Sequence, residues 1–176
     1  DDGRIASGGM DNKICVWGAS GRACTDLLGH RSSVSAVLVL PARDRLLSAA
    51  YDHRVILWHV RRRGVLAESA GEHKGAVVGL ALAGDGSRAM SVGRRGEAVV
   101  WDLGAGDELT ALAVHGRADP AGFTSVCGTD DGRFVAGGMS GTLHIWSADD
   151  GALLARAEGV HDGPINAVRF CETVQL

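Results

Sequence analysis

Apolar residues along the chain fall into short runs, each bounded by Gly, Asp or Asn. Runs of this length between turn-forming residues read as β-strands rather than helices. The runs ending in Trp, namely KICVW, RVILW, EAVVW and TLHIW, are almost continuously apolar. That pattern predicts strands covered on both faces. No stretch carries the start and stop signals of a helix.

The runs recur in a fixed order. VSAVLVL (34–40), VVGLAL (77–82), FTSVC (123–127) and INAVRF (165–170) each open a unit. RIASGG (4–9), RLLSAA (45–50), RAMSVG (88–93) and RFVAGG (133–138) form a second, small-residue class. The Trp-ending runs follow, and then a fourth class such as GRACTDLL (21–28) or GALLARA (151–157). The unit predicted is four antiparallel strands, a to d. Single residues keep the same period: Trp17, Trp58, Trp101 and Trp146 are 41, 43 and 45 apart, and His30, His73, His115 and His161 are 43, 42 and 46 apart. The opening DDGRIASGGMDNKICVW aligns without a gap on Asp130–Trp146, with eight of 17 positions identical. A period of this size marks a repeat architecture.

These units resemble the WD-repeat β-propellers. The marks are the Gly29-His30 pair before strand a, Asp11 and Asp52 in the turn between strands b and c, and the Trp closing strand c. Trp101-Asp102 alone keeps the Trp-Asp pair; the other units read Trp17-Gly18, Trp58-His59 and Trp146-Ser147. The resemblance implies an all-β propeller of four-stranded antiparallel blades. It divides the chain, as one propeller segment over 1–176, into a partial blade (1–29, strands b to d), blades at 30–72, 73–114 and 115–160, and a strand a at 161–176. Asp1-Asp2-Gly3 then reads as an a–b turn, and the expectation is a piece of a longer propeller. The alternative is that the two partial units combine and close a four-bladed ring.

Composition narrows the function classes. A net charge of −3 gives no electrostatic case for a nucleic-acid partner. No segment approaches the roughly 18 apolar residues of a membrane span, so neither partner is expected. The four cysteines, Cys15, Cys24, Cys127 and Cys171, form no CxxC pair and read as small buried hydrophobes, which points to the cytoplasm or nucleus. No metal or cofactor motif stands out. His53 and His59 lack a third ligand, and Arg61–Arg63 reads as a solvated turn.

His30, Ser48, Asp52 and Trp58 together suggest a hydrolase. The repeat argues otherwise, because Ser lies ten residues before Trp at Ser7, Ser48 and Ser91, and Asp lies six before Trp at Asp11 and Asp52. Catalysis needs one triad, not several. The resemblance implies instead a buried structural tetrad, hydrogen-bonded across one blade, with no catalytic residue. Only the second unit has it whole. The next has Arg95 in place of the Asp, which turns Arg94-Arg95 toward partners; the one after has Ala136 and Ser140 and, on the His spacing, His115.

The resemblance also implies a binding rim made by the d–a loops and b–c turns. Mapped by position, it holds Met10, Tyr51, Arg94 and Met139 before the b–c turn, and Arg31, Ser33, Lys74 and Ala76 after the His. The loop His115–Phe123 reads as longer than its counterparts. The expected function is a non-enzymatic scaffold that binds other proteins or peptides. The alternative is an accessory recognition domain of a larger enzyme or ubiquitin-ligase complex.

Overall fold

The computed structural model describes residues 3–18, 21, 24–40, 44–104 and 106–171. Among them are fifteen strands and no helix. The first sheet joins β1 (Ile5–Gly8), β2 (Lys13–Trp17) and β3 (Cys24–Leu28). The second joins β4 (Val34–Val39), β5 (Arg45–Ala50), β6 (Val55–His59) and β7 (Gly64–Glu68). The third joins β8 (Val77–Leu82), β9 (Arg88–Gly93), β10 (Ala98–Asp102) and β11 (Thr110–His115). The fourth joins β12 (Phe123–Gly128), β13 (Arg133–Gly138), β14 (Leu143–Ser147) and β15 (Leu153–Ala157). Every pairing is antiparallel and follows chain order.

The sheets pack face to face, with β1 on β4, β4 on β8 and β8 on β12. Trp58, Leu46 and Ile56 fill the space against Ile14 and Val16 of the first sheet. Leu47 and Leu57, on the other face of the second sheet, meet Val77, Val99 and Trp101. Met90 and Val100 meet Phe134 and Trp146. Alternate side chains of one strand therefore serve two neighbouring sheets, which is why the Trp-ending runs carry so few polar residues. The arrangement is that of propeller blades and is not closed: β1 has no strand on its outer edge among the described residues.

Each inner strand bulges after its first residue, at Val34/Ala36, Val77/Gly79 and Phe123/Ser125. The extra residue is Ser35, Val78 or Thr124. Ser35 Oγ donates to Val77 O of the next sheet at 2.6 Å, and Thr124 Oγ1 likewise donates to Ile165 O. At Ser35 and Thr124 the bulge thus aims a hydroxyl at the neighbouring backbone.

Of residues 161–176, expected to supply an inner strand, 172–176 lie outside the described residues and 161–171 have no strand pairing. The latter still occupy the place of one. Ile165 N donates to Gly138 O at 3.1 Å, as Val34 N does to Gly9 O at 3.0 Å. Gly137 faces Ile165 and Val168 at close range, as Gly8 faces Val34 and Val37. Two loop expectations need correction. His115 closes β11, so a unit boundary at 115 falls on the last residue of the third sheet. The loop after it, 116–122, is no longer than 69–76, the loop before β8.

The second residue of each b–c turn is left-handed: Asn12, His53, Gly96 and Gly141 have φ of 68°, 70°, 84° and 75°. At Gly96 the next sheet's loop comes so close that a Cβ would sit 1.7 Å from Asp119 O. Gly96→Ala is therefore expected to lower the thermal midpoint, combining an αL cost of about 1–2 kcal/mol with a backbone clash. His53→Ala, at a turn already occupied by a side chain, is the control; equal, small effects at both positions would show that the close approach is not rigid.

Candidate functional site

The d–a loops and b–c turns meet at one rim, and buried polar chains hold them there. In the second sheet Trp58 Nε1 donates to Ser48 Oγ at 2.7 Å, Ser48 Oγ lies 2.7 Å from His30 Nε2, and His30 Nδ1 lies 3.0 Å from Asp52 Oδ2. Only one proton arrangement satisfies all four groups: Ser48 donates to Nε2, and Nδ1–H donates to Asp52. Asp52 also accepts from the backbone N–H of Arg31 at 2.7 Å and of Arg54 at 3.1 Å. The expected tetrad is thus assembled as one chain from indole to carboxylate. Gly29 explains its place before His30, because a Cβ there would sit 2.8 Å from the Trp58 ring.

Burial holds the His30 pKa below 6.5, against the pull of Asp52. Burial opposes the Asp52 charge, but the Arg31 N–H and the His30 bond outweigh it and lower that pKa. His30 is therefore neutral at pH 7, and its side chain is fully buried, as is Ser48.

The third sheet repeats the chain with a change. His73 Nε2 lies 2.6 Å from Ser91 Oγ, which accepts from Trp101 Nε1 at 2.8 Å. Arg95 stands where Asp52 stands, and Glu97 replaces the missing acid from two residues further on. Lys74 N donates to Glu97 Oε1 at 3.0 Å, the counterpart of the Arg31–Asp52 bond. His73 Nδ1 and Glu97 Oε2 both lie against Gly93, where a Cβ would meet them at 3.0 and 2.6 Å. Burial pushes His73 down to about 4, with Glu97 pulling the other way. The order of charges across the turn is thus reversed, from Asp52-His53-Arg54 to Arg95-Gly96-Glu97.

In the fourth sheet the His position belongs to Asp119, not to His115. Asp119 is buried four residues before β12, as His30 is before β4, and accepts from Ser140 Oγ at 2.5 Å and Ala121 N at 2.9 Å. Gly138 makes room for it, since a Cβ there would sit 1.8 Å from its carboxylate. His115 instead bonds the Gly151 carbonyl at 2.7 Å. His144 lies buried, stacked on Trp146 at 5.5 Å and edge-on to Phe123 at 5.3 Å. Trp146 Nε1 has no hydrogen-bond partner among the described residues, because Ala136 lacks the hydroxyl that Ser48 offers Trp58. Burial lowers the His144 pKa, against the pull of the Asp119 charge.

Of the expected rim residues, Met10, Arg31, Tyr51, Lys74, Arg94 and Met139 are exposed, while Ser33 and Ala76 are half-buried. Ser33 and Ala76 act through their carbonyls, which accept from Tyr51 N at 3.0 Å and Arg94 N at 2.9 Å. The Arg94 guanidinium sits 5.6 Å over the Tyr51 ring. A cavity of about 640 Å³ opens beside it, lined by Glu72, Lys74, Arg95, Glu97, Arg117 and Pro120 among others. On the opposite rim a cavity of about 790 Å³ lies between the first two sheets. Its Asp44 is already paired with Arg4 at 2.6 Å and Arg61 at 3.3 Å.

The cysteines depart from the buried reading: Cys24 and Cys171 are exposed, Cys15 is half-buried and only Cys127 is buried. Cys15, Cys24 and Asp26 gather with their ligand atoms within 4.8 Å of one another, which the sequence spacing did not suggest. β2–β3 pairing puts Cys15 opposite Asp26 and Trp17 opposite Cys24, on the face turned away from the second sheet. A bond with Cys24, burial and the bond with Asp26 push the Cys15 thiol up to about 12, so Cys15 keeps its proton and is not a reactive thiolate.

Two predictions follow from the polar chains. Ser48→Ala strands His30 Nε2 and Trp58 Nε1 and is expected to cost about 1–3 kcal/mol for each stranded group. Ala136→Ser, by giving Trp146 Nε1 an acceptor, is expected to stabilise by about 1 kcal/mol. Urea unfolding of both variants checks the opposite signs. The neutral histidines also set a pH dependence. Their unfolded pKa is about 6.5, while His30, His73 and His144 lie lower in the fold. The unfolded chain then binds more protons, so stability falls as the pH drops through 6.5 toward about 4. Thermal midpoints between pH 7.5 and 4.5 should show this decline, and His73→Gln should flatten it.

A family profile described as "WD domain, G-beta repeat" matches residues 21–59 and 107–147. Autophagy-related protein 16 of Arabidopsis thaliana is 25% identical over 152 residues, covering 86% of this chain and 30% of that protein. Pre-mRNA-processing factor 19 of Bos taurus is 27% identical over 174 residues, covering 97% of this chain and 33% of that protein. Ribosome biogenesis protein YTM1 of Meyerozyma guilliermondii is 30% identical over 132 residues, covering 70% and 28%. The chain thus spans about a third of the length of these relatives. With the repeated sheets and the tetrad between them, these matches identify the chain as a WD-repeat protein.

Proposed function

We propose that the chain is a non-catalytic scaffold that binds partner proteins through the rim bearing Met10, Arg31, Tyr51, Lys74, Arg94 and Met139, with Ser33 and Ala76 fixing the loops behind it. The observation that carries this reading is the division of labour at the rim. The residues able to do chemistry, His30, Ser48 and Asp52, are sealed inward and hydrogen-bonded to one another. The residues left outside are large, apolar, aromatic or cationic, the types that anchor protein contacts. A Ser buried to that degree has no path to a substrate. The relatives' names, for pre-mRNA processing, ribosome biogenesis and autophagy, support a role in assemblies inside the cell. Neither a nucleic acid nor a membrane surface is the expected partner.

The test compares the two rims. Proteins cross-linked to the chain in cell extract are identified for the unaltered protein, for Tyr51→Ala with Arg94→Ala, and for Arg62→Ala with Arg63→Ala on the opposite rim. The expected result is that one set of proteins is lost with the first pair and kept with the second, at unchanged circular dichroism. Loss with the second pair alone overturns the assignment of the rim.

A further inference from the structure

We propose that the cavity over the third sheet, lined by Lys74, Arg94, Arg95 and Arg117, binds a phosphorylated serine or threonine of a partner protein. This rests on the rim reading above and names the chemistry of what the rim takes.

The argument begins with the reversed turn. In the second sheet the acid comes first and turns inward onto His30, while the cation two residues later, Arg54, is consumed by Asp52 and Glu68, the latter at 2.5 Å. In the third sheet the acid comes last. Glu97 is almost wholly buried and takes over the inward role, holding the Lys74 N–H. Arg95 is thereby released from the structural position. Its side chain lies across Gly75, where a Cβ would sit 2.7 Å from Arg95 Cγ, and it remains exposed in the cavity wall. A glycine at 75 is what lets it lie there.

Arg95 joins three more cations. Lys74, Arg94 and Arg117 also line the cavity, and all four are exposed. Lys74 Nζ bonds only the Gly71 carbonyl, at 2.8 Å, and Arg94 has the Tyr51 hydroxyl and ring. None of the four has a carboxylate within ion-pair distance among the described residues, unlike Arg54, the cation of the same turn in the second sheet, which pairs with Asp52 and Glu68. A cleft lined by an excess of one sign of charge focuses its field on counter-ions.

The two acids of the wall decide what that anion carries. Glu97 takes the Lys74 N–H on Oε1, while its Oε2, turned to the His73 side, has no hydrogen-bond partner among the described residues. Glu72 also lines the wall, with Oε2 likewise unpartnered. Four cations against two carboxylates leave an excess of two positive charges, which matches the charge of about −1.5 to −2 on a phosphoryl group. Guanidinium groups bind such a group through paired N–H donors. The apolar edge of Val114 and Pro120 suits the peptide chain beside it. An extended nucleic acid is disfavoured, because the net charge of −3 supplies no wider basic track along which a backbone would lie.

The experiment uses fluorescence anisotropy with a degenerate nonapeptide carrying phosphoserine or phosphothreonine at its centre, and the unphosphorylated twin. The expected result is binding of the phosphorylated form at least about tenfold tighter than its twin. Inorganic phosphate should compete, and Arg95→Glu with Arg117→Glu should abolish the difference without changing the circular dichroism or thermal midpoint. Glu72→Gln should tighten binding, because it removes a repelling carboxylate from the wall; if the cavity instead takes a cationic side chain, Glu72→Gln weakens its ligand and the proposal falls. Equal binding of the two peptides also overturns it, as does a single-stranded RNA that outcompetes the phosphopeptide through the same arginines. Phosphatase treatment of the extract separates this from the rim reading. Partners lost with Tyr51→Ala and Arg94→Ala but indifferent to phosphatase would refute the phosphate site and leave the rim standing.

Discussion

Burying a sheet on both faces is the constraint from which the rest follows. Each sheet is wedged between neighbours, so its strands are apolar in both directions, and the hydroxyls, imidazoles and indoles that remain inside have to satisfy one another. The chain from Trp58 through Ser48 and His30 to Asp52 does this without a leftover donor or acceptor. It also runs from the c strand to the rim, where Asp52 takes hold of the Arg31 backbone and closes its own turn through Arg54 N. A core requirement thereby becomes the device that fixes the loops on which partners dock.

The architecture was legible because it repeats. Strand limits at Arg45–Ala50, Arg88–Gly93, Arg133–Gly138 and Val77–Leu82 coincide with runs readable by eye, since their small or apolar residues and flanking turns recur in each unit. The tetrad of the second sheet was legible for the same reason. What escaped was displacement across space at constant spacing in sequence. His115 kept the interval of the histidine series, yet the inner strand begins four residues after Asp119, and a series counted along the chain cannot see which residue the strand start selects. Glu97 escaped because an acid two residues late looks like an ordinary strand residue until its side chain is seen to reach Lys74 N. The Cys15, Cys24 and Asp26 cluster depends on β2–β3 register, which composition does not report. Treating cysteines as buried hydrophobes failed at Cys24 because its strand presents that face outward.

The three inner polar chains also show how much variation one backbone absorbs. In the second sheet the His and the acid face each other directly. In the third the acid moves from the first to the third position of the turn, and glycine at 93 gives both side chains room. In the fourth the acid moves to the loop and a buried histidine enters from the c strand, stacked on the Trp. Each solution keeps an anion near the junction of d–a loop and b–c turn, because the backbone N–H groups converging there need an acceptor whichever element supplies it. The backbone sets the demand, and the sequence is free in how it meets it.

That freedom is where specificity enters. A repeat whose structural acid sits at the first turn position must aim that residue inward and has nothing there to offer a partner. Moving the acid two residues along leaves the first position to face outward, and in the third sheet it holds Arg95 beside Arg94, Lys74 and Arg117. The fourth sheet, with Ser140 at that position donating to Asp119, makes the opposite use of it and leaves Met139 exposed beside it. Neighbouring units of nearly identical backbone therefore carry unlike rims, one cationic and one apolar. The same substitution that departs from the repeat pattern keeps the loops anchored and changes what they display. Departures from the repeat are accordingly the places on this chain where binding chemistry is most directly written.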